Sequence, residues 1–311
     1  MPIKKEKWRA SSRARLPQPP LRVSVVKYLN TAPLIWGLQR AQPGQRFHLN
    51  FTVPADCADD LRAGRADIGI IPSIEYQTIP GLKVIPRIAI AGQRKIESVL
   101  LVSRGPARRA KRVALDKSSR TSAALVKILF AHLWKVEPEY EDARPDLQAM
   151  LVQADAALLI GDPALRFALH APPPFSPADP LSRAQSGGAL PREAAANLHV
   201  YDLAEEWWRL TQLPFVFAFW AVRAETGRSP QERRRLAKVF RDSRDAGLAH
   251  LEEIARQAAG ELALSGGQLE RYLRHSIDYR LDAPQRAGLE SFYRYAHELG
   301  LIERVKAVEF L

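Results

Sequence analysis

A chain of 311 residues with 46% hydrophobic side chains is long enough for two lobes with cores of their own and too apolar to be disordered throughout. Its longest strongly apolar stretch, Phe215 to Val222, is eight residues, where a membrane-spanning helix needs about 20, so no membrane partner is expected. The net charge of +12 suggests nucleic acid, but the basic residues lie among carboxylates, as at Glu252, Glu253 and Arg256. With no basic strip interleaved with aromatics, nucleic acid is not expected, and the charge reads as a field favouring small anions.

Residues 1–20 combine Lys4, Lys5, Lys7, Arg9, Arg13 and Arg15 with the Pro-rich stretch Pro17 to Pro20, which predicts a solvated arm. No apolar core of signal-peptide length follows, so a cytoplasmic location is expected. A lone cysteine, Cys57, agrees with a reducing compartment and reads as a small packed residue.

From Arg22 the pattern becomes that of an α/β protein. Arg22 to Tyr28 reads as a strand and Ala32 to Leu38 as a short helix with Pro33 in its first turn. Strands follow at His48 to Val53 and Asp67 to Ile71, with an amphipathic helix from Ala55 to Arg62 between them. Strand–helix alternation implies a parallel sheet with right-handed crossovers, whose ligands bind beyond the carboxyl ends of the strands. Asn30, Thr31 and Ser73 fall at such ends.

Two further strands, Lys83 to Ala89 and Ser98 to Val102, precede a second βαβ rhythm: a strand at Arg112 to Asp116, a polar loop, a helix bearing Leu125, Ile128, Leu129 and Leu133 on one face, and a strand at Ala156 to Ile160. Residues 171–197, rich in proline, alanine and glycine, predict an extended loop. A helix over Ala204 to Leu210 leads to the apolar strand Phe215 to Val222, read as passing between lobes. The last third reads as helical, with capping boxes at Ser229 and Ser265. The expected division is an arm over 1–20, a discontinuous first lobe over 21–97 and 223–311, and a second lobe over 98–222 that contains the loop. Hinges are expected near 95–105 and 213–223.

The loop Ser118-Ser119-Arg120-Thr121-Ser122 carries the clearest chemistry. Hydroxyls and open amides at a helix N-terminus suit a carboxylate or phosphate, and a guanidinium adds a bidentate contact. Helix capping by one serine with an exposed arginine is the competing use. Asn30 is either a turn residue or a ligand-orienting amide, and Ser98 either an ordinary strand residue or part of the cleft. Asp162, between Gly161 and Pro163, is better suited to capping the next helix than to proton transfer. Glu75 reads as a complement to a helix dipole. The seven histidines show no metal-ligand spacing, and there is no P-loop, G-x-G-x-x-G or G-x-S-x-G, so no metal and no cofactor is expected.

The motifs Val26 to Leu34, Ile71 to Tyr76, Ala114 to Ser122 and Leu159 to Asp162, in this order and spacing, resemble the menaquinone-biosynthesis family that contains chorismate dehydratase. Similarity continues at Asp202 to Trp207, Leu213 to Ala218 and Tyr279 to Leu281. The resemblance implies a two-lobed fold of the periplasmic-binding-protein type II kind, with a ligand cleft between lobes and a cytoplasmic enzyme rather than a transport receptor. It also implies dehydration of chorismate to 3-[(1-carboxyvinyl)oxy]benzoate in the futalosine route. The Tyr28-Leu29-Asn30-Thr31 opening looks like this branch rather than the sister dihydroxynaphthoate synthase. By that similarity Asn30 and Ser98 lie nearest the chemistry. Thr31, Ser73, Ser118, Ser119, Arg120, Thr121, Gly161 and Asp162 then bind substrate, and the proton acceptor and oligomeric state are left open. The alternatives are the sister synthase and a non-catalytic small-anion binder of the same fold.

Overall fold

The computed structural model describes residues 20–40, 47–170, 198–227 and 229–311. The predicted arm (except Pro20) and the predicted loop over 171–197 lie outside the described residues.

Strand β1 (Leu21–Val26) leads through a 3-10 turn (Leu29–Thr31) into α1 (Ala32–Gln39). Then come β2 (Phe47–Thr52), α2 (Pro54–Arg62), β3 (Ile68–Pro72), the short α3 (Glu75–Thr78) and β4 (Leu82–Gly92). The second half begins with β5 (Val99–Ser103) and β6 (Arg112–Asp116), followed by α4 (Arg120–Leu129), whose last turn widens into a π-helix over Phe130–Trp134. Next are β7 (Glu139–Ala143), α5 (Leu147–Gln153), β8 (Ala156–Ile160), α6 (Gly161–His170), β9 (His199–Asp202), α7 (Leu203–Thr211) and β10 (Phe215–Arg223). Four helices close the chain: α8 (Pro230–Leu248), α9 (Leu251–Leu262), α10 (Gly266–His275) and α11 (Ala283–Glu298).

Two five-stranded sheets result, in the orders β2-β1-β3-β10-β4 and β7-β6-β8-β5-β9. Each has a parallel trio, β2-β1-β3 or β7-β6-β8, next to an antiparallel strand, β10 or β5. Each lobe therefore takes its fourth strand from the chain as it crosses from the other. The parallel trios bring the carboxyl ends of β1, β3, β6 and β8, and the helix starts that follow them, toward one cleft.

The expected second-lobe limit at 222 is corrected by β10. Phe215–Arg223 pairs with β3 on one side and β4 on the other, so it is interior to the first sheet and the chain has crossed back before Phe215. The physical reason is burial on both faces. Phe215, Phe219, Trp220 and Val222 are all below 1% exposed, and only a sheet interior covered by helices accommodates a strand apolar throughout. Conversely, β7 escaped notice because it is an edge whose Glu139, Glu141 and Asp142 are exposed, leaving no alternation to find.

The helical C-terminal region belongs to the first lobe through close backbone contact. Ser243 on α8 donates to the Leu34 carbonyl (2.8 Å) and accepts from the Gly37 and Leu38 amides (both 3.0 Å). A Cβ on Gly247 would lie 2.0 Å from the Pro33 carbonyl oxygen, so only glycine lets α1 and α8 approach this closely. Ser229 and Ser265 form the two expected capping boxes, accepting from Glu232 N (3.1 Å) and Gln268 N (3.2 Å). No described helix is long and apolar enough to cross a membrane.

Candidate active site in the cleft between the sheets

Between the sheets lies a small cavity of about 60 Å³, bounded by the ends of β1, β3, β8 and β10 and the starts of α2, α4 and α6. Its polar lining consists of Tyr28, Asn30, Ser119, Thr121 and Ser122. Its apolar lining includes Val26, Ile90, Val99, Ile160 and Phe217. No Lys, Arg, His, Asp or Glu is among the lining residues. Hydroxyls, a carboxamide and helix termini face the space, and the charged groups stand outside it.

The start of α4 explains how an anion can be received without a cation. Ser119, its N-cap, makes no capping hydrogen bond, so its own side chain leaves the first amides of the helix unsatisfied, and Ser119, Thr121 and Ser122 line the cavity. Peripheral helices α5, α7, α8 and α10 are by contrast capped by Asp146, Asp202, Ser229 and Ser265. The uncapped amides and the positive end of the helix favour a carboxylate. Ser118 does not line the cavity; its hydroxyl donates to Asp116 Oδ1 (2.7 Å) and its amide to the same oxygen (2.9 Å). That pair fixes the turn which presents Ser119.

Arg120 also departs from expectation. Its guanidinium donates from Nη1 and Nη2 to the two oxygens of Asp59 on α2 (3.0 and 2.9 Å) and stands 3.3 Å from Glu75 Oε1 on α3. Arg62 binds the same Glu75. Two protein carboxylates thus engage the guanidinium here, and Arg120 ties the second lobe to the first. Glu75, only 5% exposed, has these arginines as its partners, which gives it a part beyond dipole complementation.

Other expected site residues also serve the joint between the lobes. Thr121 Oγ1 accepts from the Ile74 amide (3.1 Å), and Ser118 O accepts from the Ala55 amide (3.1 Å). Asp162 Oδ1 accepts from the Leu29 amide (2.9 Å), so the carboxylate expected to cap the following helix caps a turn across the cleft. Burial raises the Asp162 carboxyl above its ordinary value. Ser73 is fully buried and donates to the Val216 carbonyl (2.8 Å), and Thr31 donates to Asn30 Oδ1 (3.4 Å). Of the expected residues, Asn30, Ser119, Thr121 and Gly161 line the cavity, and Thr31, Ser73, Ser98, Ser118, Arg120 and Asp162 do not.

Two aromatic residues complete the site, and neither was among the expected site residues. Tyr28 lies against Gly161, whose φ is +64° and whose Cβ, if present, would stand 2.6 Å from the ring. Burial pushes the Tyr28 phenol up to about 12, so it is a neutral wall of the cleft. Tyr272, from α10, donates to Ser98 Oγ (2.9 Å). Its position some 170 residues from its partner left no local pattern to betray it. Cys57 is buried, with Ser24 Oγ 3.4 Å from its sulfur, and burial pushes the thiol up to about 12, as suits a packed residue.

Comparison with known proteins agrees with this architecture. A family model described as menaquinone biosynthesis matches residues 21–298. A chorismate dehydratase of Thermus thermophilus is 33% identical over 283 residues, which cover 91% of this chain and 96% of that protein. Among solved structures, a protein from Archaeoglobus fulgidus superposes with a TM-score of 0.70 at 17% identity, over 91% of this chain and 98% of that one. The periplasmic aliphatic sulphonate binding protein of Escherichia coli does so with a TM-score of 0.61 at 16% identity, over 94% of each chain. At such identities the structures show the fold alone, which is the periplasmic-binding-protein fold. The match over nearly all of the folded chain places it in the menaquinone biosynthesis family.

Proposed function

We propose that this protein dehydrates chorismate to 3-[(1-carboxyvinyl)oxy]benzoate, acting as a hydro-lyase in the cytoplasm. One observation carries the mechanism: the cavity is lined by no ionisable base. The tyrosine there is held neutral by burial. The proton acceptor is then the substrate's own enolpyruvyl carboxylate. It takes the ring C3 proton, the C3–H electron pair enters the ring, and the C4–O bond breaks. The departing hydroxide takes that proton from the enolpyruvyl carboxyl and leaves as water, so the carboxylate is restored and an aromatic ring remains. Aromatisation supplies the thermodynamic drive, so the protein contributes orientation, hydrogen bonds to developing charge and exclusion of water.

In this reading the amides at the start of α4, with Ser119, Thr121 and Ser122, hold a carboxylate, and Asn30 and Ser98 orient the reacting region. The cavity of about 60 Å³ has room for only a few water molecules. A ring carrying two carboxylates enters after the lobes separate, and their return shuts out solvent.

Incubation of the purified protein with chorismate, followed by liquid chromatography and mass spectrometry, tests the proposal through loss of one water. Asn30→Ala is expected to cut turnover by roughly 10²- to 10³-fold, the scale of removing one preorganised donor. Unchanged chorismate would reject the reading in favour of the sister synthase or a binding-only protein. A protein carboxylate proving indispensable for turnover, with binding intact, would reject the substrate-assisted step.

A further inference from the structure

We infer that Tyr272 is a positioning residue for the dehydration, setting the direction of the Ser98 hydroxyl proton. The inference rests on the proposed function above and adds a residue to it. Ser98 precedes β5, at the crossing between lobes. Asn30 lies in the turn after β1, and Tyr272 comes from the C-terminal helical region. Their polar groups meet in one buried cluster: Ser98 and Tyr272 are each 1% exposed and Asn30 8%.

The hydrogen-bond inventory leaves little freedom. A phenol has one proton to donate, and Tyr272 gives it to Ser98 Oγ at 2.9 Å. Asn30 Oδ1, in the same cluster, accepts from Thr31 (3.4 Å). Ser98, having accepted one proton, keeps its own for another acceptor, and the adjoining residue Val99 lines the cavity. Burial holds the Tyr272 phenol well above its ordinary value, so the donor is present throughout the neutral range. A serine left to rotate would spend part of its time with the proton turned away from substrate, whereas the Tyr272 bond removes that state in advance.

The test is a double-mutant cycle in the full chain, with Tyr272→Phe, Ser98→Ala and the double variant assayed for chorismate turnover and checked by thermal melting. Phe keeps the ring and removes one oxygen. Turnover in Tyr272→Phe is expected to fall by roughly 10- to 100-fold with KM changed less than about threefold. The double variant is expected to be no slower than Ser98→Ala alone, because Tyr272 acts through Ser98. Independent, multiplicative losses would overturn the inference, as would full turnover in Tyr272→Phe. A Tyr272→Phe chain that loses its cooperative melt would assign the phenol to stability and overturn it as well. Wild-type protein that leaves chorismate unchanged would reject the proposed function and this inference together, so the two failures are told apart by the wild-type assay.

Discussion

Replacing Arg120 with alanine separates the two roles open to it. In the structure the guanidinium joins the lobes by a bidentate pair with Asp59 and a contact to Glu75 at 3.3 Å. The Asp59 pair is partly solvated, with side chains 36% and 39% exposed, and solvent screening limits it to about 0.5–1 kcal/mol. The Glu75 side chain is 6% exposed but keeps Arg62 when Arg120 is lost, so removing one of its two cations costs about 1–2 kcal/mol. Together these favour the shut arrangement by about 2 kcal/mol, and their loss shifts the balance between shut and open lobes by roughly 30-fold. Small-angle X-ray scattering of the ligand-free protein reads this directly. Arg120→Ala is expected to have a larger radius of gyration than wild type and to contract when ligand is added. An unchanged radius, combined with a KM for chorismate raised 100-fold or more, would refute the reasoning and return Arg120 to the substrate's carboxylate.

The same joint carries a pH dependence. The hydrogen bond from Arg120 leads the causes that hold Asp59 below its ordinary value of 3.8. A depressed carboxyl contributes stability above that value and loses it as pH falls through its lowered one, so scattering followed downward from pH 7 should show opening only below 3.8. Asp59→Asn should lack that transition, and an identical acid profile in this variant would exclude the pair as its source. Gly161→Ala places a side chain at φ +64°, 2.6 Å from the Tyr28 ring. The left-handed conformation costs about 1–2 kcal/mol, and the displaced ring is expected to lower turnover at least tenfold. Undiminished turnover would show that the seat of Tyr28 is unimportant. Asp202 accepts from the amides of Ile96, Glu97, Ala204 and Glu205 at 2.7–3.4 Å, holding the first crossing segment to the start of α7. Asp202→Ala is expected to cost about 3 kcal/mol, seen as a lower denaturant midpoint, and a change under about 1 kcal/mol would deny it that role.

Local chemistry made much of this protein legible from its residues. Strand–helix alternation announced two α/β lobes, the Ser229 and Ser265 capping boxes marked α8 and α10, and polar residues after strands pointed to the cleft. Each of these signals is carried by near neighbours in the chain, so periodicity and cap spacing suffice to find it. Ser119 and Thr121 reached the cavity because a helix start after a parallel strand faces the cleft whatever the rest of the fold does.

Partnership between distant residues was decided only by tertiary structure. Arg120 in isolation suits an anion, yet Asp59 and Glu75, brought up from the other lobe, take its guanidinium. Asp162 has the sequence of a local cap, and the fold instead gives its carboxylate the Leu29 amide across the cleft. Phe215–Arg223 is equally apolar as a linking strand or a sheet interior, and only pairing with β3 and β4 chooses between them. Tyr272 carries no signal in its own neighbourhood, because its meaning lies in a hydrogen bond to Ser98 from a helix near the other end of the chain. A sequence states which groups are available, but which donor meets which acceptor depends on long-range packing.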